Sequence, residues 1–139
     1  VDRPPVVGDP PLRDHPDAAR RTLVGGFERA DTEPAAQHAR WRGAWQEELS
    51  SYVLLGKVGL GGLAVPDADA AMVPERKGPV RIPTARFVRR AHRDGLGVHV
   101  WTVNRPDRMR ALLDAGVDGI LSDFPARALR IARERSAVP

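Results

Sequence analysis

From Thr84 to the end the chain repeats one alternation: an amphipathic charged stretch, a glycine, a compact apolar run, a turn. Thr84 stands where a helix cap is wanted, and Phe87, Val88 and Ala91 give the following segment one apolar side. Asp94-Gly95 should close that helix, with Gly95 taking the left-handed position. Val98-His99-Val100-Trp101-Thr102-Val103 is β-branched and aromatic and reads as a strand. Asn104-Arg105-Pro106-Asp107 turns the chain. Met109, Leu112 and Leu113 supply the buried stripe of the next helix, and Gly116 stops it. Val117 to Leu121 reads as a second short strand. Ser122-Asp123-Phe124-Pro125 then leads into a final helix containing Ala128, Leu129 and Ala132. Helix, strand, helix, strand, helix with short links predicts α/β structure, with parallel strands joined by right-handed helical crossovers. Two such strands need neighbours on either side. A closed barrel of this kind needs eight strands and about 250 residues, against 139 here.

The upstream sequence is less regular. Residues 1–16 are rich in proline and read as irregular chain. Pro16-Asp17 is expected to open a short helix with Leu23, Val24 and Phe27 on its apolar side. Residues 34–55 predict a helix with Pro34 in its first turn and Trp41, Trp45, Leu49 and Tyr52 along one face. Such a stripe normally packs; the other use is a lid or rim touching substrate or membrane. Residues 56–63 read GKVGLGGL. A phosphate-binding P-loop needs Gly-Lys followed by Ser or Thr between strand and helix, whereas Val58 follows Lys57 here, so a connecting segment is expected. Residues 64–83 carry Pro66, Pro74, Pro79 and Pro83, and predict a long loop with a short extended piece around Ala71–Val73.

Composition narrows the function classes. With 42 % hydrophobic residues, wholesale disorder is a poor reading. The absence of cysteine excludes a disulfide framework, a thiolate nucleophile and a Cys-based metal site. The net charge of +4 comes from arginines interspersed with acids, as in Arg105-Pro106-Asp107-Arg108, without interleaved aromatics, so no nucleic-acid partner is expected. No apolar run is long enough to span a membrane. The compartment stays open. His15, His38, His92 and His99 do not stand at metal-ligand spacing.

The string from Gly95 through Trp101-Thr102-Val103-Asn104, then Met109 and Leu112-Leu113, then Gly116-Val117-Asp118-Gly119-Ile120-Leu121-Ser122-Asp123-Phe124-Pro125, resembles the C-terminal end of the glycerophosphodiester phosphodiesterase family. The resemblance covers about residues 72–132. It implies the C-terminal portion of a TIM (β/α)8 barrel, strands seven and eight with flanking helices. A variable region, residues 1–71, rich in Pro and Gly and partly helical, would precede it. It implies hydrolysis of small-molecule glycerophosphodiesters to glycerol 3-phosphate and an alcohol, with a divalent metal, Ca²⁺ or Mg²⁺. The family's His-Arg-Gly and His-Asp motifs are absent; His92-Arg93 is followed by Asp94. No catalytic residue and no metal ligand is therefore assigned here. The remainder of the barrel is expected from a missing N-terminal part or from a second chain.

By the same resemblance Trp101 is a substrate-binding wall on the alcohol or glycerol side, with core packing as its other use. Asn104 is a turn-ordering residue or a substrate contact. Asp123 organises the site rim or caps the final helix. The alternative to a phosphodiesterase is a non-catalytic structural or interaction fragment of a degenerate barrel.

Overall fold

The computed structural model describes residues 16–26 and 29–136. Its contacts divide the chain into two units between Ala70 and Ala71.

In the first unit, helix α1 (Pro16–Ala19) leads to strand β1 (Leu23–Val24), helix α2 (Arg29–Ala36), strand β2 (Trp41–Arg42), helix α3 (Gln46–Lys57) and a 3₁₀ turn over Gly61–Ala64. The helix expected over 34–55 is thus two helices with a strand between them. Pro34 lies inside α2, and Trp41 is on β2, 39 % exposed. Tertiary pairing explains the break. β2 pairs in parallel with β1, the Gly43 amide donates to the Val24 carbonyl, and the Arg42 amide donates to Asp69 Oδ2 at 2.7 Å. Those backbone groups cannot also serve a helix. The spacing of Trp41 to Trp45 therefore mimics helical periodicity without a helix beneath it. The remainder of the stripe does pack: Leu49 and Tyr52 are buried on α3. Leu23 and Val24 form a strand instead of extending the opening helix. Phe27 and residues 1–15 lie outside the described residues.

In the second unit, β3 (Ala70–Pro74, starting at the boundary) is followed by a small antiparallel hairpin, β4 (Arg76–Lys77) and β5 (Val80–Arg81). Gly78, at φ +61°, turns that hairpin within the segment expected to be loop. Helix α4 (Ala85–Arg93) begins as expected, with Thr84 Oγ1 accepting the Phe87 amide at 3.2 Å, and ends before Gly95 at φ +82°. Strand β6 (Gly97–Trp101), helix α5 (Pro106–Asp114), strand β7 (Gly119–Ile120) and helix α6 (Pro125–Ser136) complete the alternation. The sheet order is β3-β6-β7, and β6 and β7 run parallel with His99 opposite Gly119 and Val100 opposite Ile120.

One face of this sheet is dry. Ala71, Val73, Val98 and Val100 are fully buried, together with Val88, Ala91 and Met109 from the helices. Each buried Val or Met contributes roughly 1.5–3 kcal/mol relative to exposure. The alternate residues Met72, Pro74, His99 and Trp101 are only half-buried. Period-two alternation thus sorts β6 into a packing face and a second, partly accessible face.

Candidate functional site: the rim beyond β6 and β7

The second face leads, at the C-terminal ends of β6 and β7, to the residues that the sequence singled out. Register puts Leu121 beside Trp101: the Leu121 amide donates to the Val100 carbonyl, and the Val103 amide donates to the Leu121 carbonyl, both at 2.9 Å. Trp101 is half-buried and Leu121 is 40 % exposed. The Trp101–Thr102 peptide is cis.

Asn104 ties the two strand ends together. Its Oδ1 accepts from the Ser122 hydroxyl at 3.1 Å and from the Asp123 amide at 3.0 Å, while its Nδ2 donates to Asp123 Oδ2 at 2.7 Å. A carboxamide suits this place because it accepts and donates from one planar group. Asp123 thus spends its carboxylate on the rim. The acceptor for the Phe124 amide at the start of α6 is Ser122 Oγ, at 3.0 Å. From the first turn of α6, Arg127 Nη1 donates to the Asn104 carbonyl at 3.0 Å, and its guanidinium lies 4.5 Å from the centre of the Phe124 ring. Nearby, Arg105 pairs with Asp107 at 2.9 Å, and that hydrogen bond holds the Asp107 carboxyl below its ordinary range.

Asn104 and Asp123 are therefore in direct contact, and Trp101 stands just before the loop that Asn104 fastens. Sequence reasoning left Ser122 and Arg127 without roles. The signal for Ser122 was present in the Ser-Asp pair at a helix start; Arg127 looked like any surface arginine.

The opposite, N-terminal ends of the same strands carry a different cluster. Asp118 Oδ2 accepts the Val98 amide at 2.7 Å and lies 2.8 Å from His92 Nε2. Partial burial alone would raise the Asp118 pKa; the Val98 amide and His92 outweigh it, and the net direction is down. His92, exposed in the last turn of α4, is the partner of Asp118. His99 packs against Gly119, where a Cβ would come within 2.8 Å of its Nδ1.

A hard divalent cation needs several converging oxygen ligands. Among the described residues no three His, Cys, Asp or Glu side chains are grouped to hold one. Asp123 alone, engaged by Asn104, does not make such a site. Among the described residues, no helix is long and apolar enough to cross a membrane.

Comparison with known proteins bears on this arrangement. Residues 34–127, roughly two thirds of the chain, match the glycerophosphoryl diester phosphodiesterase family. The match thus begins well before residue 72. A curated relative from Mycobacterium tuberculosis, named "Probable glycerophosphodiester phosphodiesterase 2", is 47 % identical over 57 residues, 41 % of this chain and 22 % of the relative. The Bacillus subtilis "Uncharacterized protein YqiK" is 51 % identical over 37 residues, 26 % of this chain and 15 % of that protein. A crystal structure from Silicibacter pomeroyi, of a protein assigned to the glycerophosphoryl diester phosphodiesterases, superposes with a TM-score of 0.57 at 23 % identity, over 84 % of this chain and 39 % of that one. The matched regions thus span well under half the length of each relative.

Proposed function

Because the chain belongs to the glycerophosphoryl diester phosphodiesterase family, we propose that it is the C-terminal part of an enzyme that hydrolyses glycerophosphodiesters to glycerol 3-phosphate and an alcohol. In this reading β6 and β7 are strands seven and eight of a TIM-type barrel. The remaining strands would come from chain outside this sequence or from a second polypeptide. The observation that supports the reading most is the Asn104–Ser122–Asp123 clasp. It fastens the C-terminal ends of two adjacent parallel strands, the end at which barrel enzymes keep their sites.

The roles follow from position. Trp101 offers an apolar wall on the accessible face of β6, suited to the carbon skeleton of the alcohol or glycerol moiety. Asn104 holds the loop that follows Trp101, and Asp123 fixes Asn104. A wall held in this way positions substrate by restricting its freedom. The general acid, the general base and the groups that bind phosphate are not among these residues. Family membership carries the expectation of Ca²⁺ or Mg²⁺, but the described residues do not form a site for either ion, so no step through a metal is assigned to them.

The test is Trp101→Ala in the complete enzyme, with kcat/KM measured on several glycerophosphodiesters. A fall of roughly tenfold or more, with a near-native melting temperature, is expected for a lost apolar wall. Unchanged kcat/KM across the series would leave Trp101 as packing. Absence of any hydrolysis by the complete protein would instead favour a structural, non-catalytic fragment, the reading that the missing acid–base set of the described residues supports.

A further inference from the structure

We propose that Phe124 and Arg127 select the alcohol head group: they favour an uncharged, hydroxylated alcohol and disfavour a cationic one. The inference rests on the reading above, in which Trp101 borders the alcohol of a phosphodiester.

An exposed aromatic on a loop is normally free to move. Phe124 is 47 % exposed, yet four contacts restrain it. Its amide donates to Ser122 Oγ, its carbonyl accepts the amides of Arg127 and Ala128, and the Arg127 guanidinium stacks at 4.5 Å from its ring centre. Arg127 is restrained in turn by its bond to the Asn104 carbonyl. The ring is therefore carried beside the loop that follows Trp101. Trp101, Leu121 and Phe124 together give the rim three apolar side chains with accessible surface.

Aromatic side chains at a rim would ordinarily suit a quaternary ammonium group, which the ring quadrupole attracts. Here a cation of the protein itself already occupies that position on Phe124. Among the described residues no carboxylate forms an ion pair with Arg127, in contrast to Arg105 with Asp107. A ligand cation brought to the Phe124 ring would meet the like charge of Arg127 at short range. Asp123, which accepts from Asn104, keeps its negative charge, but the charge held against the Phe124 ring itself is that of Arg127. A guanidinium carries five N–H donors, and one of Arg127's is used on Asn104. The rest are suited to the hydroxyl oxygens of a polyol lying across the Phe124 ring. Charge and donor inventory thus point the same way.

The experiment compares glycerophosphocholine with glycerophosphoinositol as substrates of the complete enzyme, wild type, Arg127→Gln and Arg127→Lys. The wild type should prefer the inositol diester. Arg127→Gln should shift the ratio of kcat/KM values toward choline by roughly three- to tenfold, as expected for one partly screened charge at short range. Arg127→Lys, which keeps the charge but not the guanidinium, should retain most of the preference. A loosened rim would lower both activities without moving their ratio in the direction of charge. An unmoved ratio in Arg127→Gln overturns the proposal while leaving the phosphodiesterase reading intact. Failure of the wild type to hydrolyse either diester overturns both together. Should Arg127→Gln not fold, wild-type inhibition decides: choline binding more tightly than inositol would refute the selection.

Discussion

The two ends of the β6–β7 pair are fastened by the same kind of device and differ in what surrounds it. At the N-terminal end, Asp118 receives a backbone amide of β6 and pairs with His92 of α4. At the C-terminal end, Asn104 joins the loops after β6 and β7 through Ser122 and Asp123. The first cluster joins a helix end, a strand amide and the Asp118 carboxylate. The second holds up apolar side chains that the fold leaves accessible: half-buried Trp101, with Leu121 and Phe124 at 40 % and 47 % exposure. In barrel enzymes the first location serves stability and the second the site, which is how the proposed function assigns the two clusters.

The two ends should differ most at Asn104. Asn104→Ala removes all three side-chain bonds of the clasp, and kcat/KM of the complete enzyme should fall roughly 10- to 100-fold, because small misplacements of a positioning surface are expensive in rate. Melting temperature should drop only modestly, by the equivalent of about 1–2 kcal/mol. A loss of stability with full activity would erase the distinction between the two ends. Gly119→Ala comes next. Its new Cβ would meet the His99 ring at 2.8 Å, and denaturant unfolding should show a loss of about 1–3 kcal/mol from overpacking. Adding His99→Ala should recover part of that loss, and additive effects would show that the two residues do not share the site. Asp118→Asn should have the smallest effect, about 1 kcal/mol of stability with kcat/KM unchanged. Its pH signature sharpens the contrast. The folded-state pKa of Asp118 is depressed, so its contribution is present above the ordinary aspartate pKa, about 3.9, and is lost as pH falls through the lower folded value. Acid unfolding curves of wild type and Asp118→Asn should therefore converge at the acid end, and parallel curves would remove Asp118 from the account.

The sequence on its own determined the local framework from residue 84 onward. Thr84 as cap, Gly95 as a left-handed stop, Gly116 as a stop, and the apolar runs of β6 and β7 each follow from a preference that acts within a few residues. It also made the family resemblance legible, because Trp101, Asn104 and Asp123 occur there in one order. Only the tertiary structure decided where backbone hydrogen bonds go when two local solutions compete. Trp41 and Trp45 stand at helical spacing, yet the amides of residues 41–44 are claimed by Thr22, Asp69, Val24 and Ala70, partners distant in sequence. The same holds for Ser122, Arg127 and His92. Nothing in their immediate neighbours shows that a carboxamide, a carbonyl or a carboxylate 18 to 26 residues away will meet them. Short-range propensity fixes which segments fold as helix or strand. Long-range pairing fixes which polar groups find each other, because a buried or half-buried donor must be satisfied by whatever the chain brings to it.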